Sequence, residues 1–591
     1  MAPQIVQQTQ EALPTAENRT NRSSSSDQDQ IPAEQAKDVS DDASSYKQEG
    51  VQQVEAITTV WTKQVLIVMF VLLYLVSFID QLQQSVQGNL QNFITSSFGQ
   101  HGLLAATDIV AAILGGVCTL TIAKVIDIWG RCEGFVVMIV LMVVGMITKG
   151  VSQDVPTYAA GHTLYWIGHL GLGYIITIIL ADLTTLRNRL VLFGIQQTPI
   201  IATTFAGPKI ADLFYTNVNF RWAFYAFSII LVFFAIPVAI VFVVSKRKAV
   251  RLGVFPVRPK DRTPLQSLKH YAIEFDVVGM FLTVAGFALF LLPFQLVNTA
   301  PDGWRTGYII AMIVVGVALL AMFAAWEKYA APVQYFPWAY LKDRTILGAC
   351  MMYGFMFVSI FCWDTYYQSY LEVVHFQSIT DSGYILNTFS VASSFISPLI
   401  GLYIRYFGNL NYPSYAMIPF AILGTSLLVR FRTPDTSVGV LIMCQLFNGF
   451  ATGVWALTGQ LAIMASVDHQ HIAVAIALFG LFGSIGQAIG FAIAGGIWTN
   501  SMQDKILNYL PDNAKDQAAQ IYGSIEVQMS YPRGTPERDA IIHAYSDVQR
   551  IMAIAGSCVM AVCILCLFLW RSINVKKLEE EKGKQTKGTV F

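Results

Sequence analysis

The side chains with most chemistry to offer come in two matching runs. Asp80-Gln81-Leu82-Gln83-Gln84-Ser85 closes the first apolar stretch of the chain, and Asp364-Thr365-Tyr366-Tyr367-Gln368-Ser369 sits in another apolar stretch 284 residues later. Both read D-x-x-x-Q-S. A second pair follows at similar spacing, Ala123 to Arg131 and Gly401 to Asn409. Asp80 and Gln84 share one helix face, which Gln87 continues; Asp364, Tyr367 and Gln368 do the same on their helix. A carboxylate inside a bilayer helix costs roughly 2.5–3.5 kcal/mol and is tolerated where it faces a cavity or a partner. Two readings stay open: both acids line a shared cavity, or each sits near the outer end of its helix and meets water.

Other candidates cluster by spacing. His162, Tyr165 and His169 form one helical stripe; histidine titrates near neutral pH, so the stripe reads either as a proton relay or as hydrogen-bonded packing. Asp108 and Asp182 are further intramembrane acids, the latter followed by Arg187 and Arg189 as ready partners. Lys124, Asp127, Gly130 and Arg131 surround a short loop, and Arg405 occupies the corresponding loop of the repeat. Charges at such helix ends can form a gate latch between neighbouring helices, or stand as solvated loop charges. Trp363, Tyr366, Tyr367 and Tyr370 interleave aromatics with Asp and Gln, a surface suited to a bulky, largely neutral ligand with polar edges. Lys209 and Asp212 read as a local ion pair. The glycine-rich stretch Gly480–Gly496 reads as close helix packing. Phosphate loops, zinc motifs and nucleophile–base sets are not found, so no enzyme and no metal-ligand set is expected.

These residues need helices in a membrane to position them. The chain is 54% hydrophobic and 13% charged, where soluble domains carry about 25% charge. Its mean hydropathy is +0.51. Apolar runs near 64–86, 103–126, 134–152, 158–183, 190–214, 222–245, 275–298, 306–327, 346–370, 381–404, 413–430, 437–464, 472–499 and 550–571 predict fourteen spans. With the N-terminus inside, the cytosolic loops hold about sixteen Lys and Arg against about five in the short outer loops, which places both termini in the cytosol. A net charge of zero gives no case for nucleic acid. The eight cysteines read as small buried residues rather than disulfides or ligands.

The repeat divides the chain. Residues 1–60 are expected to be a disordered cytosolic tail without a cleaved signal peptide, and the sequon at Asn18 is expected to go unused there. Residues 61–245 form one six-helix bundle, 246–274 a basic cytosolic loop, 275–344 two inserted helices, 345–571 the second bundle with an extracellular loop at 500–549, and 572–591 a second cytosolic tail.

Asp127-Ile-Trp-Gly130-Arg131 resembles the signature loop of the major facilitator superfamily. Gly207-Pro208 resembles part of its antiporter motif, although Ile210 and Ala211 replace glycines and no helix 4 arginine stands near Gly171–Gly173. Trp363–Leu371, Gly483–Thr499 and Tyr509-Leu-Pro511, with Gly534-Thr-Pro-Glu-Arg538, are similar to fungal siderophore–iron transporters over roughly residues 60–575. The resemblance implies an all-α major facilitator fold and proton-coupled import of intact ferric hydroxamate siderophores by alternating access at the plasma membrane, with cycling through endosomes left open. Implied partners are the ferric siderophore, protons and the lipid bilayer, with the protein a monomer. No cofactor is implied, because the iron travels inside its chelator. By resemblance Tyr545, and more weakly Tyr522 and Tyr531, join the transport-related residues. Cavity candidates are then Asp80, Gln84, Gln87, Trp363, Asp364, Tyr366, Tyr367, Gln368 and Tyr545; proton-coupling candidates are Asp80, Asp108, His162, His169, Asp182 and Asp364. A drug or siderophore exporter of the same fold, and a non-transporting nutrient receptor, are the alternatives.

Overall fold

Backbone amides have no water to bond inside a bilayer, so apolar spans satisfy themselves as helices. The computed structural model describes residues 49–97, 104–255, 264–297, 300–332, 338–467 and 471–582. In chain order the helices are α1 (Glu49–Thr59), α2 (Lys63–Ser97), α3 (Leu104–Ile128), α4 (Arg131–Val151), α5 (Val155–Asp182), α6 (Leu186–Gln197), α7 (Pro199–Asn217), α8 (Phe220–Arg251), α9 (Pro264–Glu274), α10 (Val277–Leu291) and α11 (Gly307–Tyr329). The second half holds α12 (Arg344–Asp364), α13 (Tyr367–Val373), α14 (Ile379–Leu386), α15 (Thr388–Phe407), α16 (Asn411–Ala416), α17 (Ile418–Phe431), α18 (Val438–Ser466), α19 (Ile472–Tyr509), α20 (Ala518–Gly523), α21 (Ile525–Ser530), α22 (Pro536–Leu567) and α23 (Val575–Lys582). Among the described residues twelve spans are long and apolar enough to cross a membrane, and fourteen when the bent pairs α9/α10 (50°) and α14/α15 (41°) each count as one.

Helices α2–α8 form one bundle; α12–α19 and α22 form the other. The bundles meet along α3 and α19, at α6 against α15, and at α7 against α14. The face bearing α1 and α23 is the proximal face, and the opposite one, bearing α20 and α21, the distal face. The repeat is visible in the backbone. Gly130 between α3 and α4 (φ 117°) and Gly408 after α15 (φ 78°) both take the left-handed region that favours glycine. Close approach explains the glycine stripe of α19: a Cβ on Gly486 would stand 2.1 Å from the Gly354 carbonyl oxygen of α12. Pro199 opens α7 and breaks it from α6, because proline lacks the amide hydrogen a continuing helix needs.

Two segments differ from expectation. Residues 49–59 of the expected tail form α1, which buries Gln53, Ala56, Ile57 and Thr58 and packs against α3 and α8. Its apolar face is short and split by glutamines, so the tail's polar composition hides it. Asn18 lies outside the described residues. The expected outer loop 500–549 is a helical cap: α19 runs on to Tyr509, a 3₁₀ turn spans Asp512–Gln517, and α20, α21 and the start of α22 follow. Trp498, Ile521, Ile525, Ile541 and Tyr545 of this region bury a second apolar core with Tyr366, Tyr367 and Tyr370. Burial pushes the Tyr522 hydroxyl up to about 12, so it stays neutral there. The inserted α10 and α11 pack on each other, and α10 rests on α3.

Candidate functional site

A cavity of about 300 Å³ lies between the bundles. Helix α2 contributes Gln81, Gln84, Ser85, Gln87 and Asn89; α3 contributes Asp108; α5 contributes His162, Tyr165 and Trp166; α7 contributes Thr203 and Thr204. The other bundle adds Asp364, Gln368, Asn387, Ser390, Gln487 and three phenylalanines, Phe361, Phe389 and Phe491. The lining is thus amide-rich, with one carboxylate from each bundle. Several buried polar atoms on it make no hydrogen bond within the protein: Ser85 Oγ, Gln87 Nε2, Asn89 Oδ1, Tyr165 OH, Trp166 Nε1 and Asp364 Oδ1. Each such group costs roughly 1–3 kcal/mol if left unmade. A wall that keeps both donors and acceptors unspent suits a ligand with carbonyl and hydroxyl edges.

Titratable pairs sit on or behind this wall. His162 Nε2 lies 3.2 Å from Asp108 Oδ1, and His169 Nδ1 lies 2.8 Å from Asp80 Oδ1. The i, i+7 spacing of the two histidines on α5 turns them toward α3 and α2, which flank that helix. The His162–Asp108 pair stands at the cavity surface, where both residues line the wall.

Of the expected cavity residues, Gln84, Gln87, Asp364 and Gln368 line the cavity. Asp80 does not; it is buried behind the wall, held by His169. Trp363, Tyr366, Tyr367 and Tyr545 are fully buried and also stand off the cavity. Tyr366 stacks on Trp498 at 4.1 Å, and the Tyr545 hydroxyl donates to Gln528 Oε1 at 2.7 Å. At the break between α12 and α13, Tyr366 takes φ −109° and ψ 17°; beyond it Gln368 stays on the cavity, while Tyr367 and Tyr370 enter the apolar core of the cap. Tyr531 bonds Gln517 on the distal surface.

Asp182 is not beside the cavity either. It accepts from Arg131 Nε at 3.2 Å, while Arg131 Nη1 donates to Asp127 Oδ1 at 2.7 Å. The Asp127–Arg131–Asp182 cluster therefore pins α3, α4 and α5 of one bundle together at the proximal face, rather than joining the two bundles. Lys124 turns outward instead and donates to the Glu274 carbonyl of α9 at 2.8 Å. Arg405 takes part across the bundles through its carbonyl, which accepts from Arg187 Nε at 2.9 Å. Lys209 and Asp212 pair at 3.4 Å on the surface.

Sequence reasoning passed over two buried cations. Lys149 near the end of α4 is fully buried and lies 4.9 Å from the Tyr158 ring centre and 5.2 Å from that of Tyr165. Arg432 just after α17 is equally buried, 4.1 Å over the Tyr367 ring, and donates to the Trp363 carbonyl at 2.6 Å. They stand 69 residues after Asp80 and 68 after Asp364, so they belong to the same repeat. Each donates to a glutamine side chain, Lys149 to Gln87 and Arg432 to Gln549. The signal was present: Lys149 is the lone charge in the apolar run 134–152.

A sequence model of the Major Facilitator Superfamily matches residues 73–302. "MFS siderochrome iron transporter 1" of Ajellomyces capsulatus is 50% identical over 552 residues, covering 93% of this chain and 95% of the relative. "Siderophore iron transporter mirB" of Emericella nidulans is 38% identical, covering 93% and 90%. Among solved structures, a peptide transporter of the POT family in complex with sulfate superposes with a TM-score of 0.53 at 13% identity, covering 88% of this chain and 99% of that one. A bacterial homologue of the lysosomal transporter Spinster gives 0.50 at 12%, covering 86% and 98%. These structures share the fold alone. With half its residues identical to a siderochrome iron transporter across nearly the whole of both chains, the protein belongs to the fungal siderophore–iron transporter family of the major facilitator superfamily.

Proposed function

We propose that this chain imports intact ferric hydroxamate siderophores across the plasma membrane together with protons, by alternating exposure of the central cavity. The observation that carries the reading is the amide-rich cavity shared by both bundles and bordered by the His162–Asp108 pair and Asp364. A ferric trihydroxamate encloses its iron, so recognition falls to hydrogen bonds with its outer carbonyl and hydroxyl groups and to aromatic contact, which this wall supplies. The Lys and Arg bias toward the proximal face supports a cytosolic location for that face and for the described terminal helices.

The bundles touch above and below the cavity. On the proximal face the Tyr174 hydroxyl donates to the Ala473 carbonyl at 2.8 Å; on the distal face Tyr215 donates to Glu526 at 2.7 Å and Tyr384 to the Phe205 carbonyl at 3.3 Å. A 300 Å³ space is small for a bulky chelate. Admission and release then require parting of the bundles on one face at a time, with ligand and proton jointly favouring the change.

Uptake of radioactive iron from a panel of ferric hydroxamates, in a yeast lacking its own carriers, tests the proposal. Accumulation that rises with external acidity and collapses with a protonophore is expected. Absence of uptake across the panel, or efflux in place of accumulation, rejects it.

A further inference from the structure

We propose that Lys149 is a positioning residue that ties the protonation of His162 to the ligand-facing amide of Gln87. Three bonds carry the inference. The Lys149 ammonium lies 3.1 Å from His162 Nδ1, and it also donates to Gln87 Oε1. On its other nitrogen, His162 Nε2 faces Asp108 Oδ1 at 3.2 Å. An ammonium has only donors, so Nδ1 facing it must be the acceptor and Nε2 carries the hydrogen. The imidazole is therefore read as neutral, between a cation and an anion. The same ammonium fixes the Gln87 amide: its oxygen is engaged on Lys149, and its Nε2 is left without a partner at a residue that lines the cavity.

Adding a proton to His162 breaks this arrangement for electrostatic and geometric reasons. Nδ1 gains a hydrogen and no longer accepts from Lys149. Two cations then face each other in a buried site, where the repulsion is poorly screened. The ammonium is displaced from His162, and its hold on Gln87 Oε1 loosens with it, freeing the amide to rotate or to follow the ligand. A proton arriving at Asp108 and His162 is thus felt at a donor of the binding wall without any contact between proton and ligand.

Helix α5 presents Tyr158, Tyr165 and His169, the last bonded to Asp80 of α2. Helix α8 presents the Phe224 ring at 5.0 Å from Lys149 Nζ, Tyr225 against Gly150, and Arg221, which donates to the Gly150 carbonyl at 3.0 Å. Asp364 is the acid of the opposite wall. Among these, Asp108 is the anion that shares His162 directly, and Lys149 is the cation on it.

The link to Gln87 as a ligand donor rests on the import reading above; the link between Lys149 and His162 does not, and the test separates them. Trp166 lies tilted against both histidines, its ring centre 5.6 Å from that of His162 and 5.2 Å from that of His169. Imidazolium quenches indole fluorescence, so the difference between the purified protein and its Trp166→Phe variant reports histidine protonation with no transported ligand present. His162→Gln identifies the His162 phase, leaving that of His169. Lys149→Met is expected to raise the midpoint of the His162 phase by about one pH unit or more, because a neighbouring cation is gone. Lys149→Arg is expected to keep it near the original. Asp108→Asn, which keeps the cation and removes its counter-charge, is expected to lower the midpoint and serves if the methionine variant does not fold. In the uptake assay, Lys149→Met is expected to raise KM severalfold and to flatten the pH profile, with Lys149→Arg restoring part of both. An unchanged midpoint in Lys149→Met, or in Asp108→Asn where that variant alone folds, overturns the proposal whatever the protein transports. A shifted midpoint with KM and pH profile unaltered overturns the link to Gln87.

Discussion

At the residue scale, the two D-x-x-x-Q-S runs serve different ends. Asp364 reaches the cavity with one carboxylate oxygen making no hydrogen bond within the protein, whereas Asp80 is committed to His169. Asp364→Asn is nearly isosteric and removes only the charge. The expectation is normal surface expression with loss of acid-stimulated uptake, read as a flat rate against external pH; an unaltered profile removes Asp364 from the coupling path. Arg131 makes the opposite case. Truncation to alanine leaves Asp127 and Asp182 facing each other near a buried site, and breaking such a cluster costs about 3–5 kcal/mol. Arg131→Ala should therefore lower the melting temperature and the yield at the membrane, and a stable, fully expressed variant would contradict the role assigned here. Sequence made these acids conspicuous because a lone carboxylate in an apolar run needs a reason. It could not choose which one faces the cavity, since that is decided by a partner on another helix, His169, which holds Asp80 behind the wall. Lys149 obeys the same rule as the acids and was legible on those grounds. Arg432 lies just past its apolar run and is recognisable only through the repeat.

At the element scale, what positions these side chains is close packing between helices that contribute no chemistry. Helix α19 touches α3 of one bundle and α12 of the other, and glycines permit both approaches: Gly486 meets the Gly354 carbonyl, and Gly116 of α3 meets Ser484. Inserting side-chain carbon at a packed contact typically costs about 1–3 kcal/mol. Gly486→Leu is expected to separate α19 from α12 and depress transport of every chelate alike, with KM and pH dependence changed less than the maximal rate. A selective loss of one chelate would instead place Gly486 in recognition. The glycine spacing announced this packing, as did the hydrophobic runs the spans themselves. Helix α1 and the 500–549 cap were less legible. Both are short amphipathic pieces whose apolar residues find partners far away in the chain, such as Tyr366 against Trp498, and composition within the segment does not reveal them.

At the scale of the whole molecule, the cap spans the two bundles. Its core is built on the second bundle, yet Glu526 of α21 accepts a hydrogen bond from Tyr215 at the distal end of α7 in the first. That bond is exposed and by itself contributes little to stability, on the order of 1 kcal/mol or less. Its importance is positional: under the proposed alternating exposure of the cavity, opening the distal face has to part α7 from α14 and α21, while the proximal contacts of α6 with α15 stay closed. A covalent bridge should therefore separate the two motions. With Cys558, the exposed cysteine among the described residues, replaced by serine, cysteines at 215 and 526 joined by a cleavable bismaleimide are expected to abolish uptake and to restore it on cleavage. Under the bridge, a cysteine placed at Ala473, which meets Tyr174 on the proximal face, should remain open to a thiol reagent, because that face is still free to part. A bridged protein that transports at the unbridged rate would show that the cap moves with neither bundle and that the distal contact is incidental to alternating access.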